Sequence, residues 1–305
     1  MRQKDKASPP AASGGPPAES INRVTRKERR LSDRRDPASL VLRGLVWLAA
    51  GLTALVLLAL IVYIMVKGVP NLKPSLFELH YNSDNVSMFP SIVMTLYMTA
   101  LCLLIATPLG VGCAIYLTEY AKRGNKAVAV IRLAAETLSG IPSIVYGLFG
   151  MLFFVTALRW KNSILAGACT LSIMVLPLII RSTEEALKSV PDSYREGSFG
   201  LGAGKLRTVM RIVLPSAMQG IVAGVILAVG RIVGETAALI YTAGTVAKIT
   251  GNPMESARTL SVHMYVLSGE GLHTGEAFAT AVVLLITVLM LNWLSNFIAK
   301  RITKG

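Results

Sequence analysis

Charge is what this 305-residue sequence has least of. Only 16% of its residues are Asp, Glu, Lys or Arg, against about 25% in an ordinary soluble domain, which excludes a chain whose only solvent is water. Cysteine is scarce too: Cys102, Cys113 and Cys169 each lie inside an apolar run, so neither a disulfide framework nor a CxxC metal site is available and all three read as small core residues. Three Trp and scattered aromatics offer no stacking platform for bases, so the formal net charge of +14 is not a nucleic-acid footprint. Neither HExxH nor GxSxG occurs, which removes the visible nucleophile or metal apparatus of an intramembrane hydrolase. His80, His263 and His273 are isolated in the outer loops, without HxxxH spacing or a patterned set of carboxylates, and read as solvated surface residues.

What the sequence has in abundance is uncharged length. Runs extend over Gly44–Val66, Phe89–Thr118, Thr137–Leu158, Asn162–Ile180, Ile212–Gly230 and Ala277–Ala299. Each reaches the ~17 to 25 residues that cross about 30 Å of hydrocarbon at 1.5 Å per residue. The fifth continues through Arg231 and Glu235 to about Ala247. The expectation is an all-α polytopic membrane protein with six transmembrane helices. Of the Lys and Arg residues, 24 fall in residues 1–43, in the 119–136 and 181–211 loops and in the tail from Lys300, whereas the opposite loops hold six. Basic residues are retained on the cytoplasmic side, so both termini are expected to be cytoplasmic and most of the net charge is a topology signal.

Three segments follow from this division: a basic, Pro/Ala/Gly/Ser-rich tail over 1–43, expected to be disordered; a membrane domain over 44–299; and a short cytoplasmic tail over 300–305. The basic tail reads either as a topology anchor or as a segment drawn to anionic headgroups. The outer loops, Lys67–Met88 and Lys248–Glu276, are too short for a ligand-binding domain, so capture of any external solute falls to another protein.

The loop after the fourth run is the most informative segment. Ser189 is placed to cap a short helix with Pro191 and Asp192 in its first turn, and Gly202 to end it in a left-handed turn. The loop also contains Gly200-Leu201-Gly202-Ala203-Gly204-Lys205, which imitates a phosphate-binding loop. Phe199 stands where the first glycine is needed, however, Leu206 replaces Ser/Thr, and no strand precedes. In the fifth run, Arg231 and Glu235 are spaced i,i+4, on one face of a continuous helix. Charges at that depth cost at least about 2.5 to 3.5 kcal/mol each and should face a pathway or a partner charge. Either Arg231 meets an oxyanion with Glu235 holding its guanidinium, or the two form a salt bridge that fixes helix packing. Gly220/Gly224 and Gly230/Gly234 form two GxxxG pairs, both suited to close packing. Pro142, in Gly140-Ile141-Pro142-Ser143, opens the backbone at the third run; Ser139 and Ser143 either line a polar passage there or flank a simple kink.

The segment from Glu196 through Gly202 to Ile212, Leu214 and Pro215 resembles the EAA loop of ABC importer permeases, with Glu196-Gly197-Ser198 for Glu-Ala-Ala, Gly202 for the glycine and Ile-x-Leu-Pro closing the element. Gly197 and Ser198 depart from alanine but remain small. The stretches Glu136–Gly147 and Gly230–Ala238 are similar to the phosphate ABC importer permeases of PstA type, over roughly residues 40 to 300. The resemblance implies a MetI-like six-helix bundle in a bacterial inner membrane, with an EAA coupling loop at about 184–215 whose short helix presents Tyr194, Arg195, Glu196, Gly197, Phe199 and Gly202 to an ATPase subunit. It implies further partners: a homologous second permease, two ATPase copies carrying ATP and Mg, and an extracytoplasmic phosphate-binding protein. This chain would perform no covalent chemistry. The rival readings are a permease for another oxyanion, such as sulfate or molybdate, and a secondary transporter or channel that needs no ATPase.

Overall fold

The computed structural model describes residues 37–122 and 124–302, all of them in helices, turns or irregular segments. The basic tail up to residue 36, and residues 303–305, lie outside the described residues. The chain divides into two units, one through Ile61 and one from Val62. In the first, helix α1 (Pro37–Gly68) begins seven residues before the expected boundary at Gly44. Its large apolar side chains from Leu40 to Ile61 are exposed, as suits a lipid-facing span.

In the second unit, after the end of α1, come α2 (Phe89–Ile115), extended by a wider turn over Tyr116–Tyr120; α3 (Lys126–Ser139); α4 (Ser143–Gly150), extended over Met151–Ala157; and α5 (Ile164–Lys188). The loop helix α6 (Asp192–Gly200) and the single turn α7 (Lys205–Thr208) lead through Val209–Val213 into α8 (Leu214–Gly234). The short α9 (Ala237–Thr242), then α10 (Leu260–Glu270) and α11 (Thr274–Ile302), complete the chain. Five of these stretches are long and apolar enough to cross a membrane, and α3 with α4, bent by 105°, makes a sixth if the pair is one span.

Helix α5 is the axis of this unit. Ile164, Ala168, Leu171, Val175 and Ile179, at spacings of three and four, are fully buried and meet Met98, Cys102 and Ala106 of α2 and Ala228 and Ile232 of α8. Ser163 starts α5 by accepting a hydrogen bond from the Ala166 amide at 3.2 Å, and Asn125 starts α3 by accepting from Ala127 at 3.0 Å, each satisfying an amide that has no partner inside its helix. Cys102 belongs to this core, while Cys113 and Cys169 are half-buried, and all three are free thiols. His80 is exposed. His263 departs from the solvated reading: it is fully buried in α10, its ring edge-on to Tyr81 at 6.2 Å, and burial pushes its pKa down to about 3, so the ring stays neutral.

Lipid tails are as apolar as leucine, so helices in a bilayer associate through close van der Waals contact at small residues. The two GxxxG pairs divide on this test. A methyl group at Gly220 would stand 2.6 Å from Ala186 Cβ, and one at Gly224 would overlap Ser182 Oγ, so this pair seats α8 on α5. Gly230 and Gly234 have nothing within 4 Å of an added Cβ, which corrects the expectation that both pairs pack. Gly224→Ala should therefore lower stability by about 1–3 kcal/mol through overpacking, whereas Gly230→Ala should be neutral or raise it by about 0.5–1 kcal/mol through helix propensity. Thermal unfolding of the two variants in one detergent reads the difference.

Candidate functional site

Two helix breaks shape the centre of the bundle. The first lies between α3 and α4, where Pro142 (φ −60°, ψ 142°) supplies no amide and turns the chain. The Tyr146 hydroxyl reaches back across the break and donates to the Leu138 carbonyl at 2.6 Å, which also accepts from the Ile141 amide at 3.2 Å. The second ends α8 at Gly234. Glu235 is extended (φ −74°, ψ 129°), so the i,i+4 relation expected of Arg231 and Glu235 does not exist. The Glu235 carboxylate instead accepts from the Ala238 amide at 3.1 Å, in the first turn of α9. Its carbonyl accepts from Ser261 Oγ at 2.6 Å. Among the described residues no ion pair within 4.0 Å joins Arg231 to Glu235. Glu235 is a buried residue at the break between α8 and α9, engaged by Ala238 and Ser261 rather than by the guanidinium.

Arg231 opens onto a cavity of about 330 Å³, together with Arg132, Glu136 and Ser139 from α3 and Pro177, Arg181 and Glu184 from α5. Three arginines thus line one space, and they differ in what holds them. Arg132 is clasped by Glu184, its Nε donating at 2.8 Å and its Nη2 making a second, shorter contact. Lys188 approaches the same carboxylate at 3.1 Å. Arg181 lies 3.6 Å from Glu185, one turn along α5. Arg231 is exposed to the space and has no carboxylate partner among the described residues. A forked, unpaired guanidinium supported by two partly neutralised ones is suited to meet an oxyanion without trapping it. Ser139 lines this cavity, its hydroxyl donating to the Glu136 carbonyl at 2.7 Å. Ser143, at the start of α4, is half-buried and is not among the lining residues.

The loop helix α6 forms a second constellation. Ser189 does not cap it: that residue closes α5, with its hydroxyl donating to the Ala186 carbonyl at 2.8 Å, and Pro191 precedes α6 without a side-chain cap. At the other end Gly202 is left-handed (φ +80°). Its amide donates to Phe199 at 2.9 Å and that of Ala203 to Ser198 at 3.1 Å, which satisfies the last carbonyls. Tyr194, Glu196, Gly197 and Phe199 are exposed, and added Cβ atoms at Gly197 or Gly202 would meet nothing. Leu201 and Leu206, 91% and 67% exposed, add apolar surface to the same knob.

Arg195 is turned the other way. It donates from Nη2 to Glu119 at 2.8 Å and to the Leu187 carbonyl at 2.9 Å, and from Nη1 to the Val190 carbonyl at 2.8 Å. The bond to Glu119 pushes its pKa up, keeping the guanidinium charged. Ser198, buried on the same side, shares a 2.8 Å hydrogen bond with Thr208. Arg195 and Ser198 therefore clamp α6 to the bundle, and the outward anchors are the other four residues with Leu201. Arg132 and Arg181 entered the sequence reading only as loop charges; the Arg132–Glu184 and Arg195–Glu119 pairs join residues 52 and 76 positions apart, and no local pattern announces them. Among the described residues no group of three or more His, Cys, Asp or Glu side chains is placed to hold a metal ion.

Comparison with known proteins gives this arrangement a lineage. Residues 106–304 match the family described as "Binding-protein-dependent transport system inner membrane component". The probable ABC transporter permease protein YqgI of Bacillus subtilis (strain 168) is 36% identical over 282 residues, 85% of this chain and 96% of that protein. The phosphate transport system permease protein PstA 1 of Mycobacterium tuberculosis (strain CDC 1551 / Oshkosh) is 34% identical over 213 residues, 68% of this chain and 69% of its own. Among solved structures, a bacterial alginate ABC transporter in complex with an alginate pentasaccharide-bound periplasmic protein shares the fold, with a TM-score of 0.66 at 15% identity, covering 90% of this chain and 98% of that one. The chain belongs to the binding-protein-dependent transport family of inner-membrane components, the permease subunits of ABC transporters, which are not the catalytic subunits of those machines.

Proposed function

We propose that the chain is the permease subunit of an ATP-driven, binding-protein-dependent importer of inorganic phosphate. The observation that carries the reading is the unpaired Arg231 guanidinium at a cavity shared with Arg132 and Arg181; relatives named as phosphate transport permeases point to the same anion class. Both termini are cytoplasmic in this reading, following the basic residues. The partners are a homologous second permease, two ATPase copies holding ATP and Mg, and an external phosphate-binding protein. Ser139 contributes a hydroxyl to the pathway and Glu235 sets where α8 ends. Ser143 has a backbone role only, as the first residue of α4.

Helix α6 serves as the coupling helix. Tyr194, Glu196, Gly197, Phe199 and Leu201 face an ATPase cleft, with aromatic anchors of the kind that dominate interfaces. Gly202 keeps the exit turn narrow. Because Arg195 and Ser198 fix α6 to the ends of α2, α5 and α7, closure of the partner moves those helices as levers. Only a difference in anion and partner affinity between the two exposed states drives the cycle.

Uptake of labelled phosphate into proteoliposomes holding all partners, with sulfate as competitor, tests the anion. Phosphate uptake should resist excess sulfate, and strong sulfate competition would transfer the reading to another oxyanion. Arg231→Gln should cut uptake ten- to a hundred-fold, the equivalent of about 1.5–3 kcal/mol for a lost charged hydrogen bond, while the complex stays assembled; loss of the complex would mean a packing role instead. Arg195→Ala leaves the buried Glu119 carboxylate unpaired, at about 3–5 kcal/mol. It should expose 191–204 to protease and raise ATP hydrolysis relative to uptake, with Arg195→Lys in between. An unchanged cleavage pattern would refute the clamp.

A further inference from the structure

A larger cavity, of about 670 Å³, lies where the wider turn ending α2, the start of α3 and the start of α6 come together. Lys122, Lys126, Lys188 and Arg132 line it. Lys188 and Arg132 are engaged by Glu184, and the two acidic side chains of the lining, Glu119 and Asp192, are both taken by Arg195. Lys122 and Lys126 have no ion-pair partner among the described residues. The cavity therefore carries an uncompensated positive charge concentrated on these two lysines.

Its surroundings distinguish it from the Arg231 cavity. Leu117, Val128 and Ala129 supply an apolar wall. Along α3, Leu133 lies one turn beyond Ala129, and both it and Val130 are 64% exposed. On the turn that ends α2, Tyr116 and Tyr120 are 49% and 41% exposed, one helical turn apart, and Lys205 stands over the Tyr120 ring at 5.2 Å. Exposed tyrosines at the end of an apolar span mark the headgroup level of a bilayer. Lysines set there, with their aliphatic stems on apolar wall, present ammonium groups to phosphate oxygens. This cavity has about twice the volume of the one at Arg231 and adjoins an apolar helix face that acyl chains can cover.

We infer that this cavity binds the phosphodiester headgroup of an anionic phospholipid, held by Lys122 and Lys126 with its chains along Val130 and Leu133. Because Asp192 and Arg195 of α6 line the cavity beside Lys188 of α5, the lipid would brace the base of the coupling helix. The inference stands apart from the choice of transported anion.

Native mass spectrometry of the full chain in mixed micelles of phosphatidylglycerol and phosphatidylcholine tests it. The wild type should retain one phosphatidylglycerol in preference to phosphatidylcholine, and inorganic phosphate at matched concentration should not displace it. With about a five-fold effect for each basic residue near a charged surface, Lys122→Gln/Lys126→Gln should weaken retention roughly thirty-fold. Lys161→Gln, in the loop before α5, should leave retention unchanged, and Val130→Ser/Leu133→Ser, which keeps both lysines, should shorten the lifetime of the bound lipid. Equal retention of the two lipids, full retention by the double lysine variant, or displacement by inorganic phosphate would overturn the assignment, the last by making the cavity a free-phosphate site.

Discussion

A backbone polar group left unpaired in hydrocarbon costs several kcal/mol, roughly, and that penalty governs where this protein can interrupt a helix. Among the described residues it does so between α3 and α4, at Gly140–Pro142, and between α8 and α9, at Glu235–Thr236, and a side-chain hydrogen bond bridges each. Tyr146 donates to the Leu138 carbonyl across the first break. The Glu235 carboxylate accepts from Ala238 across the second. The cavity beside Arg231 lies between the segments so interrupted, in keeping with the rule that irregular backbone is tolerated where it is packed in protein or lines a polar space.

The same economy governs charge. Glu184 and Glu119 are nearly buried, and each is matched to an arginine: Arg132 for the first and Arg195 for the second. One pair ties α3 to α5 at the rim of the Arg231 cavity, the other ties the loop helix to the end of α2. Both pairs border the lysine-lined cavity at the base of α3. Charge pairs of this kind add little net stability compared with apolar packing of equal volume, but losing one partner is expensive, which makes them suited to transmitting position.

The spans were legible because an apolar run of twenty residues has few other fates, and the left-handed turn at Gly202 because few residues besides glycine accept that conformation readily. The Arg231–Glu235 relation was not. An i,i+4 pattern holds only while the helix continues, and the carboxylate found a better partner in the first turn of α9. Ser189 misled for a similar reason: it lies between two helices and served the end of one rather than the start of the next. His263 was read from its loop position, yet α10 folds back into the unit and buries it. Arg132 and Arg181 counted toward topology, and their convergence with Arg231 depends on the antiparallel course of α3 along α5, a long-range contact without local signature. The small residues of the Glu196-Gly197-Ser198 stretch proved to divide their work, Gly197 outward and Ser198 inward against Thr208.

The central claim is that ATP hydrolysis by a partner, received through the loop helix, drives anion passage beside Arg231. Accumulation of labelled inorganic phosphate in reconstituted vesicles tests it most directly. With the second permease, ATPase and binding protein present, the account predicts uphill uptake that stops when the ATPase is omitted. Uphill accumulation by this chain alone, sustained by a proton or sodium gradient without ATP, would contradict it.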